Sequence, residues 1–219
     1  MRKKPRIISD WSGVHSKDMH VCYEANKYVM EQLGRPMISY EDWLKTLSIF
    51  SRNIDFFRAY GISEEEADDK TLKELYAKGL KKAKERGVLP VLREGSKEFL
   101  MRIHEERLPF AIVSQHPPED IIEEAKRYKI VDFLPDERYI LAGQGNKTKP
   151  LIQAKHILGG NSENTFYIGD MTFDVLAAKE AEIGAIAITG GYHSREKLEE
   201  VKPDIIVDSF SELEKHLFS

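Results

Sequence analysis

The fold of this chain is indicated by the stretch TFYIGDMTFDVLAAKE, residues 165–180. Its first half is a short apolar run typical of a buried strand, and its second half carries apolar residues at helical spacing. The two halves meet at Gly169 and Asp170, where the chain must turn. A buried strand followed directly by an amphipathic helix is the repeating unit of an α/β fold.

The same alternation of strand and helix patterns runs from residue 110 to residue 217. The other uncharged apolar runs that predict strands are 110–113, 139–142, 185–188 and 205–207, and residues 6–9 add one at the N-terminus. Helical spacing is found at 118–128, 150–158, 173–181, 194–200 and 211–217. Gly159 and Gly184 each follow a predicted helix, where a left-handed stop suits glycine. The pattern predicts a Rossmann-like three-layer core, in which helices cover both faces of a parallel sheet.

Residues 16–88 have a different pattern. Helical periodicity occurs at 19–33, 40–60 and 70–86, and no strand-like alternation is present. This predicts an all-helical segment inserted after the first strand. The expected domains are therefore an α/β core of residues 1–15 and 89–219 and a helical insert of residues 16–88.

Composition and charge make several classes of protein poor candidates. The 33 basic and 37 acidic residues are interspersed and give a net charge of -4, so we expect no nucleic-acid partner. No apolar run approaches the ~20 residues that a membrane-spanning helix needs. The single cysteine, Cys22, cannot form an intramolecular disulfide or a thiolate zinc cluster, which fits a reduced, cytoplasmic setting. A monomer and a homodimer are both compatible with the sequence.

Polar residues with complementary chemistry follow the ends of the predicted strands. They are Asp10, Ser114, the loop residues Lys147 and Lys149, and the pair Asp170 and Asp174. Ligands of open α/β sheets bind at the carboxyl ends of the strands, so these side chains are expected to converge.

This set of residues suits phosphoryl transfer. A carboxylate such as Asp10 can attack phosphorus to give an acyl phosphate, which water then hydrolyses. The incoming phosphate dianion repels the Asp10 carboxylate. A hard cation held by carboxylate oxygens reduces this repulsion, and Asp170 is well placed as a ligand of such a cation. A lysine and a hydroxyl can hold the phosphoryl oxygens. The backbone N–H groups of residues 12–14 are candidates for an anion-binding nest.

Four segments of the chain occur in an order that resembles the haloacid dehalogenase superfamily. They are IISDWSGV at 7–14, AIVS at 111–114, NKTKP at 146–150 and IGDMTFDV at 168–175. The segments DVLAAK at 174–179 and TGGYHS at 189–194 are similar to the phosphoglycolate phosphatase branch. The resemblance covers essentially the whole chain and includes a helical cap inserted after the first segment.

The resemblance implies a Mg²⁺-dependent hydrolase that transfers a phosphoryl group from a small phosphorylated substrate to Asp10. It implies that Asp10, the carbonyl of Ser12 and Asp170 coordinate the metal. Asp174 would bind through water or support the other ligands. Ser114, the motif lysine and the backbone at Ser12 and Gly13 would bind phosphate.

Two lysines fit the family motif. Lys149 precedes Pro150, as in the common Lys-Pro form, and is preferred on this local pattern. Lys147 instead matches the spacing to Gly169 and Asp170 that other branches have.

Ser12 departs from the family pattern. Most phosphatases of the family have an aspartate there, which protonates the leaving group and activates water. Serine does not titrate near neutral pH and cannot replace that function. Three explanations stay open: a proton from His15 or from the cap, a leaving group that needs little help, or a slow enzyme.

Other functions compete with phosphate-ester hydrolysis. An Asp-Trp-Ala-Gly loop in phosphonoacetaldehyde hydrolases is similar to the loop at Asp10, but the surroundings of Lys45 do not resemble the Schiff-base motif. Halide-releasing members lack the acid pair that this chain keeps. A degenerate member that binds a phosphorylated ligand without turnover is the third possibility. The substrate cannot be identified from the sequence, although Arg52, Asn53 and Arg58 are candidates to face it.

Overall fold

The computed structural model describes residues 4–47, 49–50, 53–143 and 145–218. The strands are β1 Arg6–Ser9, β2 Ser16–Lys17, β3 Val91–Leu92, β4 Phe110–Ser114, β5 Ile140–Ala142, β6 Thr165–Gly169, β7 Gly184–Ile188 and β8 Ile205–Val207. The helices are α1 Met19–Gln32, α2 Tyr40–Leu47, α3 Asn53–Ala59, α4 Asp69–Glu85, α5 Ser96–Glu105, α6 Pro118–Tyr128, α7 Thr148–Ile157, α8 Thr172–Glu180, α9 Arg195–Glu200 and α10 Phe210–Phe218.

Six of the strands form one parallel sheet in the order β5-β4-β1-β6-β7-β8. β1 lies between β4 and β6, and its last residue, Ser9, is level with Ile112 and Ile168. All six strands point the same way, so the residues that follow them reach one edge of the sheet. Asp10 therefore leaves the sheet at its centre.

Both faces of the sheet are buried, as expected for a parallel sheet. Successive residues of a strand point to opposite faces, and Ile7 and Ile8 accordingly belong to two different core clusters. The Ile7 cluster includes residues of α5, α6 and α10, and the Ile8 cluster includes residues of α7, α8 and α9. The predicted three-layer α/β core is confirmed.

The chain divides into two compact units. The residues up to Lys17 and from Val91 onward form the α/β unit, and Asp18–Pro90 forms the helical unit. The helical unit has its own core around Val29, Trp43 and Phe57. Within it α1 and α4 pack so closely at Gly79 that an added Cβ would lie 2.8 Å from the Ala25 Cα.

The structure corrects two details of the predicted elements. Residues 40–60 are not one helix, since α2 ends at Leu47 and Ile49 and Phe50 are not helical. Gly184 is not a left-handed helix stop. It begins β7 against the Phe166 ring, and Glu182 takes the positive φ of 53° instead.

Three elements, α5, β2 and β3, carried no recognised signal in the sequence. No element was predicted for residues 89–105, the region that contains helix α5. The two-residue strands β2 and β3 pair antiparallel, with Ser16 opposite Leu92. Strands this short cannot show an alternating pattern. β2 also lies within residues 16–88, where no strand was expected.

Among the helices of the described ranges, we find none that combines the length and the apolar character needed to cross a membrane.

Candidate active site

Asp10 lies at the carboxyl end of the central strand and is 5% exposed. One of its carboxylate oxygens accepts the N–H of Trp11 at 2.7 Å, and the other accepts a hydrogen bond from the Lys147 ammonium. The carboxylate is therefore held at the edge of the sheet by the turn that follows β1 and by a buried cation.

Asp170 and Asp174 lie beside Asp10, on the next strand end and the first turn of the helix after it. Asp174 accepts the N–H groups of Asp170 at 3.2 Å and Met171 at 3.0 Å, which fixes it at the start of α8. Asp170 accepts the N–H of Tyr192 at 2.7 Å through Oδ2. Its other oxygen, Oδ1, is fully buried and has no hydrogen-bond partner among the described residues.

Lys147, and not Lys149, enters this cluster. Its ammonium donates to Asp10, to Asp174 at 2.7 Å and to the Tyr167 hydroxyl at 3.0 Å, which accounts for all three of its protons. Lys147 is 3% exposed, whereas Lys149 is exposed on α7. The structure thus leaves Lys149, which the local Lys-Pro pattern favoured, outside the cluster.

The electrostatics of the cluster are dominated by burial. Burial raises the pKa of Asp170 well above its usual range, and Asp174 and Asp10 push it in the same direction. Burial also raises the pKa of Asp174, although Lys147 opposes the change. Burial disfavours the Lys147 ammonium, but the charges of Asp10 and Asp174 raise the pKa of this lysine above normal. Three carboxylates thus share one ammonium in a region of low dielectric.

Two glycines let the backbone approach Asp170. A Cβ at Gly13 or at Gly191 would overlap the Asp170 carboxylate. Gly13 also has a φ of +74°, which disfavours other residues. The Asp170 carboxylate therefore lies between the loop after β1 and the loop after β7.

The anion-binding nest predicted at residues 12–14 needs correction at Gly13. The Gly13 N–H donates to the Ser16 carbonyl at 2.8 Å, so it is already used within the loop. Gly13 contributes its small size instead. Ser12 is half-buried in the same loop, next to Gly13.

Ser114 is fully buried at the end of β4, the strand that pairs with β1. Its hydroxyl accepts the N–H of His116 at 3.4 Å. Its carbonyl accepts the N–H of Gly143, and a Cβ at Gly143 would press on the stem of Lys147 at 2.9 Å. The structure thus places both Ser114 and the stem of Lys147 next to Gly143.

His15 cannot act as the general acid that is missing at Ser12. The Ser9 hydroxyl donates to the Asp10 carbonyl, so it must accept from His15 Nε2, which leaves Nδ1 to accept from Ser96 at 2.7 Å. Burial and the charge of Arg93 lower the pKa of His15 to about 3. His15 is therefore a neutral, fully buried support for the loop.

Three side chains near the site were not recognised in the sequence. The Tyr167 hydroxyl contacts Lys147 and Asp174 from the middle of β6. His193 is 3% exposed and accepts the Thr172 N–H at the start of α8. Arg93 bridges two loops. His193 lies in the quoted segment TGGYHS but was given no role there, and no sequence motif distinguishes Tyr167 or Arg93 from packing residues. Only the positions of the three residues in the fold identify them.

The cluster fits a divalent cation. One oxygen each from Asp10, Asp170 and Asp174 lie within 4.8 Å of one another, and all three residues are buried. Carboxylate oxygens are the ligands that hard cations prefer. The unpartnered Oδ1 of Asp170 and the excess of negative charge would both be satisfied by such an ion.

A family model described as haloacid dehalogenase-like hydrolase matches residues 14–188. The match covers most of the chain, and the protein belongs to the haloacid dehalogenase-like hydrolase family. The expected family membership is confirmed.

The chain is similar to phosphatases over part of its length. It is 28% identical over 129 residues to a phosphoglycolate phosphatase of Photobacterium profundum, over 56% of this chain and 54% of that protein. It is 43% identical over 56 residues to the probable phosphatase IndB of Dickeya dadantii, over 26% of this chain and 24% of that protein. The chain thus spans about half the length, or less, of these relatives.

Solved structures resemble the whole chain. A haloacid dehalogenase-like family protein from Streptococcus pneumoniae matches 99% of both chains with a TM-score of 0.81 at 20% identity. At this identity the likeness concerns the fold, and it agrees with the predicted α/β core.

Proposed function

We propose that this protein is a Mg²⁺-dependent phosphohydrolase that removes phosphate from a small phosphorylated metabolite. The observation that carries the proposal is the buried cluster of Asp10, Asp170, Asp174 and Lys147, with one carboxylate oxygen left unpartnered. Similarity to phosphoglycolate phosphatases supports the substrate class.

Asp10 and Asp170 would hold the metal through their carboxylates, with the carbonyl of Ser12 as a further ligand. Asp174 would support them, since it is already fixed by backbone N–H groups and by Lys147. When bound, Mg²⁺ would reduce the repulsion between the Asp10 carboxylate and the incoming phosphate dianion.

The reaction would proceed in two steps on Asp10. A carboxylate oxygen of Asp10 attacks phosphorus, the bond from phosphorus to the leaving oxygen breaks, and an aspartyl phosphate forms. Water then attacks phosphorus and releases inorganic phosphate, which restores the carboxylate. Lys147 would stabilise the charge on the phosphoryl oxygens, and Ser114 would add a hydroxyl donor.

The loop after β1 offers no titrating group for the leaving oxygen. Ser12 does not titrate near neutral pH, and His15 is buried with both ring nitrogens engaged. We therefore propose that the α/β unit acts best on phosphate bound to a good leaving group, unless the helical unit supplies the proton. Ser12→Asp should then increase the rate on alkyl phosphates by about 10²-fold, the lower end of the range for general acid catalysis.

The experiment is phosphate release from p-nitrophenyl phosphate and a metabolite panel, with Mg²⁺ or with EDTA. We expect turnover that requires Mg²⁺ and falls by about 10⁴-fold or more in Asp10→Asn, as for other nucleophiles. Asp132→Asn changes an exposed acid of the same unit and should leave turnover unchanged. Mg²⁺ binding with no turnover on any ester would instead favour a binding role.

No observation favours C–P cleavage. Lys45, the lysine considered for a Schiff base, is exposed and pairs with Asp42 at 2.7 Å. Its hydrogen bond to Asp42 raises the pKa of Lys45, which is the opposite of what imine formation needs. The acid pair Asp170 and Asp174 likewise argues against dehalogenation.

The residues of the helical unit that were candidates to face the substrate give no support for such a role. Arg58 donates to the carbonyls of Ile62 and Ser63 and pairs with Asp69 at 2.9 Å, so it holds the unit together. Asn53 is exposed at the start of α3, and Arg52 lies outside the described residues.

A further inference from the structure

Arg93 follows β3 and is one of the few buried cations of the α/β unit, with 7% of its surface exposed. Its Nη1 donates to the Gly13 carbonyl at 3.1 Å, and its Nη2 donates to the Thr189 carbonyl. Nη2 also lies 3.5 Å from the Asp208 carbonyl, and the guanidinium lies 6.0 Å from the centre of the Phe210 ring. One side chain therefore reaches the segment after β8 and also donates to two separate loops, those after β1 and β7.

These are the two loops that enclose the Asp170 carboxylate. Gly13 packs against Asp170 from the loop after β1, and Gly191 packs against it from the loop after β7. Tyr192, next to Gly191, donates its N–H to Asp170 at 2.7 Å. Arg93 thus fixes the distance between the two walls on either side of Asp170.

The partners of Arg93 are unusual for a buried arginine. Among the described residues no carboxylate lies within ion-pair distance of its guanidinium, which donates to the backbone carbonyls of Gly13, Thr189 and Asp208. A buried charge is costly unless it is paired or hydrogen-bonded. An ion pair elsewhere would be a simpler way to stabilise the fold, so the position of this arginine points to the two loops that it joins.

We infer that Arg93 is a positioning residue for the metal site, which sets the spacing of the Gly13 and Gly191 loops around Asp170. This inference rests on the proposed function, because it assumes that Asp170 and the Ser12 carbonyl, one residue before Gly13, hold the cation. The planar fork of arginine can donate to two carbonyls at once, and methionine of similar length can donate to neither.

The test compares wild type, Arg93→Met, Arg93→Lys and the control Arg102→Met. Arg102 is also in the α/β unit, stacks 4.1 Å from the Phe218 ring and pairs with Glu106 and Glu214, but it contacts neither loop. The thermal midpoint of each protein is measured against Mg²⁺ concentration, and amide hydrogen exchange is measured for residues 11–14 and 189–192.

Arg93→Met should need about 10-fold more Mg²⁺ than wild type for the same thermal shift, as expected for loss of a residue that orients ligands. Exchange should become faster in both loops together. Arg93→Lys, which keeps the charge, should fall between Arg93→Met and wild type, and it carries the test if Arg93→Met does not fold. Arg102→Met should lower the midpoint without Mg²⁺ but leave the Mg²⁺ dependence as in wild type.

A merely structural arginine would lower the midpoint equally at every Mg²⁺ concentration and leave exchange in the two loops unchanged. That result, with a wild type that binds Mg²⁺ and releases phosphate, overturns this inference alone. A wild type that neither responds to Mg²⁺ nor releases phosphate overturns the proposed function, and this inference with it.

Discussion

The ammonium of Lys147 donates to two carboxylates and a phenol inside the α/β unit. Removing one member of such a buried pair leaves the other charges uncompensated, which typically costs several kcal/mol. Lys147 is the residue just before α7, and Lys149 lies two residues further along that helix. A step of two positions along a helix is a rotation of roughly 200° about its axis, so the side chains of Lys147 and Lys149 point in nearly opposite directions.

Lys147→Met should therefore lower kcat for p-nitrophenyl phosphate by about 10²- to 10³-fold, the effect of losing a donor to the transition state. Lys149→Met is the matched control and should keep nearly full activity, because Lys149 is exposed. Circular dichroism of both variants serves as the check that they fold. Equal losses in the two variants would contradict the placement of Lys147 in the site.

His15 is expected to make stability depend on pH. Its pKa is lowered from 6.5 to about 3 by burial and by Arg93, while the unfolded chain regains a normal histidine. Between these two values the unfolded state binds the extra proton. His15 therefore reduces the stability of the fold as the pH falls from about 6.5 towards 3.

His15→Gln removes this contribution, so its free energy of unfolding should fall less steeply between pH 6.5 and pH 4 than that of wild type. The wild-type loss from His15 amounts to ~1.4 kcal/mol for each pH unit in this window. Urea unfolding at several pH values measures the slope. His216→Gln replaces an exposed histidine of α10 and should keep the wild-type slope. Parallel curves for all three proteins would show that His15 is not buried as a neutral ring.

The loops between strands and helices are set by a few close contacts. The loop after β1 brings Gly13, which has a φ of +74°, against Asp170. The loop after β7 brings Gly191 against the same carboxylate. Both loops depend on the absence of a side chain at one position. This makes loop geometry, and not strand propensity, the sensitive feature of the site.

Gly13→Ala should lose most activity and a few kcal/mol of stability, because its Cβ would overlap the Asp170 carboxylate in addition to the backbone strain. Gly145→Ala is a matched control with a φ of +78° and no atom within 4 Å of its Cβ. It should cost only about 1 kcal/mol, the cost of the left-handed backbone. The measurements are thermal unfolding and p-nitrophenyl phosphate turnover. A Gly13→Ala protein as active as Gly145→Ala would rule out the close packing described.

Strands and helices of the α/β unit follow from the sequence pattern because each is buried or amphipathic along its length. β1, α6 and β8 begin and end at the predicted residues. The prediction of one helix at 40–60 was wrong because it relied on apolar periodicity alone. Apolar residues such as Trp43 and Phe57 serve one core from two helices, and periodicity does not show where a helix is interrupted.

Each unit of the molecule has an independent core. The two clusters on the sheet contain no residue of the helical unit, and the cluster around Trp43 contains no residue of the α/β unit. The chain leaves the α/β unit at Lys17 and returns at Val91, and these residues pair antiparallel. A short turn can therefore join them.

Replacing residues 18–90 by a Gly-Ser turn should leave an α/β unit that unfolds cooperatively, since both core clusters of the sheet are retained. Thermal circular dichroism and near-ultraviolet spectra test this. The full chain carrying Val29→Ala, a cavity in the helical core, is the companion protein and should lower the stability of that unit by roughly 2 kcal/mol. A non-cooperative transition in the shortened chain would show that the units depend on each other.

The order of strands, helices and polar residues along the chain indicated the α/β core, the helical insert and the acidic residues at the strand ends, because periodicity and strand-end chemistry are local properties. The folded arrangement decided the rest: the choice of Lys147, the neutral state of His15, the hydrogen bond from the Gly13 N–H to Ser16, and the roles of Tyr167 and Arg93. Each depends on which groups from distant segments become neighbours, and on how deeply they are buried. Distances, desolvation and competition for hydrogen bonds do not exist until the sheet has brought those segments together.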